Sequence, residues 1–268
     1  MLKKPLFLLA LLVLFPLALA DVLMISPFEK TLSVGDVVEL GSIAPGESFE
    51  LIFSDESLLG QEIMWSKASV KQSSLPAAWA AIDSEEGKKR LVVLVSVPAA
   101  AKPNVYQFKV ALSNDDFQLS EEITAKIDVK KGLIKAVIDE AELNQSPMVN
   151  EKVKFNIVLT NSSISDHRVK VKSTLPFNWF EEKEFIVPAK QVVEQQLLVA
   201  PRVFGRKAFS FSVVSELNGE HISSFDSVLS VKPTLKGKFA SSISGFPFFT
   251  VTLLPYHFFN ALFSLFFV

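Results

Sequence analysis

The side chains that most often carry chemistry are scarce in this sequence and form no catalytic pattern. Three histidines (His167, His221 and His257) are scattered along the chain, and cysteine is absent. The sequence contains no zinc-type histidine pair, no G-x-S-x-G nucleophile turn and no glycine-rich phosphate loop. Neighbouring carboxylates such as Glu181 and Glu182 would point to opposite faces of a strand or lie solvated in a loop. We therefore expect no catalytic residue, no metal site and no cofactor, and a protein that is not an enzyme.

Two N-x-S/T triplets are candidates for modification. They begin at Asn144 and Asn161, and such triplets are glycosylation acceptors in exported chains. Asn161 follows a strand-like run and is predicted to lie in a hairpin loop, which favours it as the acceptor. Asn144 is the weaker candidate because Pro147 directly follows its triplet.

A third candidate is the pentapeptide LPAAW at residues 75–79, which recurs as LPFNW at residues 175–179. Proline leaves a strand ladder because it has no N–H, and the tryptophan can then fold over the open end of a β-sandwich. The alternative is an exposed indole that stacks on a sugar ring. We interpret the motif as a packing device used twice, formed by Leu75, Pro76, Trp79, Leu175, Pro176 and Trp179.

Alternation of apolar and polar residues dominates the chain between the two ends. Tyr106, Phe108, Val110 and Leu112 share one face of such a run, and similar runs are separated by turn sequences such as APGE and LNGE. This period of two predicts half-buried strands, so the fold class is all-β.

The order of these elements repeats. In each half an apolar strand precedes LPxxW, and a strand that ends in VP or AP follows it. The interval from Pro98 to Phe108 is ten residues, and the interval from Pro201 to Phe211 is the same. Each unit has the size and strand count of an immunoglobulin-like β-sandwich. We predict two tandem sandwiches, residues 21–131 and 132–238, with the boundary near the charged joint at Lys130 and Lys131.

Both ends of the 268-residue chain are strongly apolar. Residues 1–20 resemble a signal peptide, with a basic start, an apolar core and an A-x-A site that predicts cleavage before Asp21. Residues 239–268 lack Asp, Glu, Lys and Arg, and residues 246–268 are long enough for a membrane helix. We predict a C-terminal membrane anchor there; a tail replaced by a lipid anchor and a tail buried in a partner remain alternatives. His257 and Asn260 are the candidate helix–helix contacts.

The pattern of GESFELIF, then LPxxW, then a strand ending in VP or AP, then YQFKV resembles the NPCBM-associated immunoglobulin-like domain of alpha-galactosidase type. The resemblance covers most of residues 35–232. It implies an accessory or structural domain, of a kind that occurs in tandem in prokaryotic and archaeal envelope proteins. The second unit lacks the APGE turn and has Asn150-Glu151-Lys152 at that place.

The net charge of −2 and the absence of a basic stripe argue against a nucleic-acid partner. An exported chain without cysteine favours a prokaryotic, archaeal-like envelope protein. We predict a non-enzymatic scaffold, adhesion or assembly module on the outer face of the cytoplasmic membrane or at the cell surface, with other envelope proteins or surface glycans as partners.

A carbohydrate-binding accessory module would need exposed aromatics, for which Trp65, Trp79 and Trp179 are available. A two-domain envelope chaperone would need an open edge strand and a basic anchor, for which Lys130 and Lys131 are the candidates.

Overall fold

The computed structural model describes residues 22–33, 35–54, 65–85, 88–115, 118–139, 142–234 and 254–266. Most of these residues form β-strands. The alternating runs of the sequence become strands whose side chains alternate between buried and exposed positions, as along Val153–Asn161, where Val153, Phe155 and Ile157 are buried and Lys154 and Asn156 are exposed. The all-β prediction is confirmed. The predicted signal peptide of residues 1–20 and much of the predicted anchor of residues 239–268 lie outside the described residues.

Contacts divide the chain between Lys131 and Gly132 into two units. The first unit contains two sheets, with strand orders β2-β1-β4-β7-β6 (sheet I) and β3-β9-β8-β5 (sheet II). Its strands are β1 Val22–Ser26, β2 Lys30–Leu32, β3 Val37–Ile43, β4 Ser48–Ser54, β5 Lys67–Val70, β6 Ala80–Ile82, β7 Arg90–Ser96, β8 Asn104–Asn114 and β9 Leu119–Val129.

The second unit also contains two sheets, with strand orders β10-β12-β15 (sheet III) and β11-β17-β16-β13-β14 (sheet IV). Its strands are β10 Ile134–Ile138, β11 Asn144–Gln145, β12 Val153–Asn161, β13 His167–Ser173, β14 Lys183–Val187, β15 Val192–Val199, β16 Gly205–Ser215 and β17 His221–Val231.

The two units share one plan. In each, an early strand segment pairs in parallel with the last strand, β3 with β9 and β11 with β17, while all other strand pairs are antiparallel. In the first unit β4 lies beside β7 in sheet I, and β5, β8 and β9 lie together in sheet II. In the second unit β12 lies beside β15 in sheet III, and β13, β16 and β17 lie together in sheet IV. This is the strand order of an immunoglobulin-like β-sandwich.

Aromatic side chains fill the space between the sheets at corresponding places. In the first unit Phe49 of sheet I and Phe108 of sheet II have ring centroids 6.3 Å apart. In the second unit Phe155 of sheet III and Phe211 of sheet IV are 5.2 Å apart and both are fully buried. Such burial of large apolar side chains between two sheets is the main favourable term for each unit.

The turn before the second strand of each sandwich is also the same, although its sequence differs. In APGE, the Glu47 carboxylate accepts a hydrogen bond from the Ala44 N–H at 2.9 Å, and Gly46 has φ 89°. In the second unit the Glu151 carboxylate accepts one from the Met148 N–H at 2.7 Å, and Asn150 has φ 68°. The expectation that the second unit lacks this turn is wrong, because asparagine replaces glycine as the residue with left-handed backbone.

This turn gives a direct test at Asn150. We expect Asn150→Ala to lower the free energy of unfolding by about 1 kcal/mol, because alanine tolerates a positive φ less well than asparagine. Asn150→Gly, the matched control, should leave stability within about 0.5 kcal/mol of the parent, because glycine adopts this conformation readily. Urea denaturation of the three proteins measures the difference. An equal loss in both variants would show that the asparagine side chain, and not its backbone conformation, is what matters.

Near the C-terminus the structure describes a helix, α1 (Leu254–Phe266), within the predicted membrane anchor. Among the described residues, no helix has both the length and the hydropathy needed to cross a bilayer.

Candidate interaction surface

The LPxxW motifs form tight turns. The Trp79 N–H donates to the Pro76 carbonyl at 3.1 Å, and the Trp179 N–H donates to the Pro176 carbonyl at 2.8 Å. In the first unit the turn needs a positive φ of 66° at Ala78. The turns fold both tryptophans inward, with 8% of Trp79 and 6% of Trp179 exposed.

The inward position of the indoles decides what they contact. The Trp79 ring lies 5.1 Å from the ring of Tyr106 and 6.4 Å from that of Phe108. Leu175 is half-buried and packs on the core of the second unit, while Leu75 and Pro76 are half-buried and Pro176 is exposed. Trp65 is 1% exposed. None of the three indoles therefore has a free face on which a sugar ring could stack.

The two glycosylation candidates lie in opposite environments. Asn144 is exposed on β11. Asn161 is 2% exposed, and its amide nitrogen donates to the carbonyls of Ser165 at 2.8 Å and Val187 at 2.9 Å. Its side-chain oxygen accepts the Ser163 N–H at 2.8 Å. The amide of Asn161 thus closes the loop between β12 and β13, and in the folded unit its nitrogen is not accessible to a glycan.

Several charged side chains in the described parts of the chain form ion pairs. Lys170 lies 3.1 Å from Glu182 and 3.3 Å from Glu184 across β13 and β14, and these carboxylates raise the pKa of Lys170. Glu122 accepts hydrogen bonds from Lys109 and Lys71, which lower its pKa to about 2. No cluster of three or more His, Asp or Glu side chains that could hold a metal occurs among the described residues.

Two histidines are placed by the structure. His221 is exposed at the start of β17. His167 is 5% exposed, and its Nε2 lies 3.0 Å from the Ser215 hydroxyl, which is also buried. The hydroxyl satisfies a polar group that would otherwise be costly to bury.

The two units differ in the strand that follows LPxxW. In the first unit β6 begins directly after Trp79 and pairs with β7, so it extends sheet I. In the second unit the Trp179 carbonyl accepts the Ala200 N–H at 2.8 Å, just beyond the end of β15. The chain then crosses to the other sheet, where β14 pairs with β13. In the first unit β6 pairs with the outer side of β7, but no described strand pairs with the outer side of β15 in the second unit.

As a result, β15 is an edge strand of sheet III. The Asn161 N–H donates to the Gln191 carbonyl at 2.8 Å, next to the Thr160–Val192 pair at one end of the β12–β15 ladder. Because hydrogen-bonded and non-bonded pairs alternate in an antiparallel ladder, the odd-numbered residues bond to β12. The even-numbered residues, from Val192 to Leu198, direct their N–H and C=O groups away from the sheet, and the described residues provide these groups with no hydrogen-bond partner.

The side chains along this edge are also unusual for an unprotected strand. Val192 is 61% exposed and Leu198 is 40% exposed, and the exposed Glu194 and Gln196 lie between them. Natural edge strands are usually blunted by lysine, proline, a bulge or short length. Strand β15 has eight residues (VVEQQLLV) and none of these features. We call Val192, Glu194, Gln196 and Leu198, with their backbone groups, the β15 edge.

The other edge strands in the described parts of both sandwiches are shorter or interrupted. Four of them, β2, β5, β6 and β11, have between two and four residues, and β10 and β14 have five each. The remaining one, β3, has seven residues with a register shift between Glu39 and Gly41. The sequence predicts β15 as a strand of the repeat but does not show its open side, because hydrophobic periodicity does not show which strands pair.

Within the LPFNW turn of the second unit, Phe177 is 81% exposed. It is the one exposed aromatic side chain among the described residues of the two sandwiches. Its neighbour Asn178 is held by the Arg202 side chain, whose Nε donates to the Asn178 carbonyl at 3.1 Å. A single ring is a small surface for recognition.

Comparison with known proteins adds the fold neighbours. Neither a protein-family model nor a curated protein matches the chain. Among solved structures, a chimeric titin Z1Z2 carrying an exogenous decorin peptide is similar, with 13% identity and a TM-score of 0.40 over 81% of this chain and 98% of that one. The D00-D0 domain of intimin gives 10% identity and a TM-score of 0.28 over 78% of this chain and 98% of that one.

Enzymes also occur among the similar structures. A family 123 glycoside hydrolase from Clostridium perfringens gives 12% identity and a TM-score of 0.30 over 40% of this chain and 29% of that one. Because all these TM-scores are low, the class of the protein rests on its own strand order. The chain is an all-β protein with immunoglobulin-like sandwiches, and among the described residues β15 is an open edge strand of the second sandwich.

Proposed function

We propose that this protein is a non-enzymatic scaffold or assembly module of the cell envelope. It binds another polypeptide by accepting an extended segment along the β15 edge. The observation that carries the proposal is the eight-residue open edge of sheet III, with its unpaired backbone groups and its exposed Val192 and Leu198.

Strand addition explains how such an edge would bind. The main-chain N–H and C=O groups of an incoming strand would pair with those of the β15 edge and provide affinity, and the alternate side chains would provide specificity. Val192 and Leu198 lie at the two ends of the outward face, so an incoming segment with apolar residues at matching positions would bury both. Glu194 and Gln196 at the centre of the edge would lie opposite polar side chains of the incoming segment.

The first sandwich has a different role in this proposal. Its corresponding strand β7 is covered by β6, and its other edges are short or bulged. Because the proposed anchor of residues 239–268 directly follows the second sandwich, the first sandwich is the unit farther from the anchor along the chain and would be available to a second partner. Export through residues 1–20 and tethering through residues 239–268 belong to the same proposal and rest on the apolar character of those segments.

The two alternative functions have less support. A carbohydrate module would need exposed indoles, and the three tryptophans are buried. An envelope chaperone would use the same open edge, but its candidate anchor Lys130 is ion-paired with Asp128 at 3.1 Å. A permanent anchor also fits an assembly subunit better than a shuttle.

Photo-cross-linking in intact cells tests the proposal. A benzophenone amino acid replaces Val192 or Leu198 in the full-length chain, and the control carries it at Val137, which is 58% exposed on the outward face of the same sheet but on β10. We expect one adduct of defined mass from positions 192 and 198 and none from position 137, because Val137 lies on the short strand at the opposite edge of the sheet, away from the β15 edge. Equal labelling at all three positions, or no adduct at all, would contradict the proposal.

A further inference from the structure

We propose that the segment bound by the β15 edge is the β15 edge of a second copy of this chain, paired antiparallel about a two-fold axis at Gln195. This inference rests on the proposed function and names its partner. The two copies would join their three-stranded sheets into one continuous sheet of six strands. Dimers with two-fold symmetry bury the same patch of both subunits, so the edge must be complementary to itself.

The sequence of β15 has this self-complementarity. When VVEQQLLV is laid antiparallel on itself about Gln195, Val192 faces Leu198 of the partner, and Glu194 faces Gln196. On the inward face Val193 meets Leu197, and Gln195 meets its own copy. Apolar residues thus pair with apolar ones and the polar centre pairs with itself, as in stable cross-strand pairs. No two like charges are opposed.

Backbone geometry restricts the possible registers. The open N–H and C=O groups belong to the even-numbered residues of both copies, so even-numbered residues must pair with each other. The register about Gln195 meets this condition and forms four pairs, Val192 with Leu198 and Glu194 with Gln196, each occurring twice. Every open backbone group of the β15 edge would then be satisfied.

The two neighbouring registers are worse. Centring the pair on Glu194 places two carboxylates directly opposite each other, which is destabilising. Centring it on Gln196 places Val192 opposite Ala200, whose N–H already donates to the Trp179 carbonyl. It also places Glu194 opposite Leu198. The register about Gln195 is therefore the one that the charges, the apolar side chains and the LPFNW turn all permit.

The size of the contact sets the expected affinity. A pair of eight-residue strands covers less area than a standard protein interface, and interfaces below about 1,200 Å² belong to weak complexes. We expect a dissociation constant on the order of 10–100 µM in solution. Tethering both copies to one surface would raise their effective concentration and favour the pair.

The natural absence of cysteine allows a clean test by disulfide trapping. Full-length chains carrying Val192→Cys and Leu198→Cys are purified in detergent and oxidised, each alone and as a mixture. In the proposed register residues 192 and 198 of two copies are opposite, with Cα atoms about 5.5 Å apart, which suits a disulfide. Like positions of two copies lie six residues apart, roughly 20 Å, and cannot be bridged. We expect a covalent dimer only in the mixture.

A second variant tests the two-fold axis itself. Gln195→Cys should form a dimer without any mixing, because residue 195 meets its own copy with Cα atoms about 4.5 Å apart. Val137→Cys is the control and should remain monomeric, since Val137 lies on β10 with comparable exposure. Size-exclusion chromatography with light scattering at rising concentration checks that the unmodified chain associates, and Leu198→Lys should weaken that association at least tenfold.

The outcomes separate this inference from the function on which it rests. Trapping of the mixture and of Gln195→Cys supports the proposed register. A dimer that forms from Glu194→Cys or Gln196→Cys but not from Gln195→Cys would overturn it. If no variant forms a dimer while the photo-cross-linker at Val192 captures a different protein, edge binding stands and the second copy is excluded. If neither experiment gives an adduct, both proposals fail.

Discussion

Replacing Phe211 with alanine is expected to destabilise the second sandwich by about 3–5 kcal/mol. Phe211 is fully buried, and its ring lies 5.2 Å from Phe155, 5.3 Å from Phe180 and 5.2 Å from Phe209. Its removal leaves a cavity where the two sheets meet, and the surrounding rings cannot all move in to fill it. Because a whole domain is stable by only about 5–15 kcal/mol, this change should bring the unit close to unfolding at ordinary temperature.

The control for this prediction is Phe177→Ala. Phe177 lies in the same unit and is 81% exposed, so its replacement should change the free energy of unfolding by less than about 0.5 kcal/mol. Chemical denaturation followed by circular dichroism compares the two variants with the parent. A similar loss in both would show that the four-phenylalanine cluster does not hold the sheets together.

Replacing Asn161 with alanine is expected to cost about 2–4 kcal/mol, the second largest effect. The change removes three hydrogen bonds at once and leaves two carbonyls, of Ser165 and Val187, and the Ser163 N–H without their partner. Buried polar groups that lose a partner pay the full cost of leaving water. The loop between β12 and β13 should open first, and amide hydrogen exchange measures its protection.

Asn144→Ala serves as the matched control, because Asn144 begins the other N-x-S triplet and is exposed on β11. We expect a change below about 0.5 kcal/mol there. Mass spectrometry of the intact chain from a host that glycosylates should show no sugar on Asn161. A glycan on Asn161 of the folded protein, or a negligible effect of Asn161→Ala, would contradict the buried position of this side chain.

Much of the fold could be predicted from the sequence because the relevant signals are local. Alternation along runs such as residues 153–159 predicts strands, since successive side chains of a strand point to opposite faces. The equal interval from a proline to Phe108 and to Phe211 indicates a repeat, and both phenylalanines are buried between sheets. Local pattern also indicated that LPxxW turns the chain, and the tryptophans of both turns are buried.

Other features depended on which groups meet in three dimensions. The N-x-S triplet at Asn161 does not show whether the side-chain amide is exposed or donates to the carbonyl of Val187, a residue 26 positions away. His167 is buried because Ser215, 48 positions away, satisfies it. Asn150 has the positive φ that Gly46 has in the corresponding turn of the first unit. A sequence comparison that looks for glycine therefore misses the turn of the second unit.

By itself, the sequence determined the all-β class, the repetition of one unit and the absence of any recognisable catalytic pattern, because each of these is written in residue types and short spacings. The tertiary structure decided the candidate site. After nearly identical LPxxW turns, the chain joins β7 in the first unit and β13 in the second. That choice of sheet depends on long-range pairing and packing, and it alone leaves β15 as an open edge. A strand's exposure to a partner is a property of its neighbours and not of its own residues.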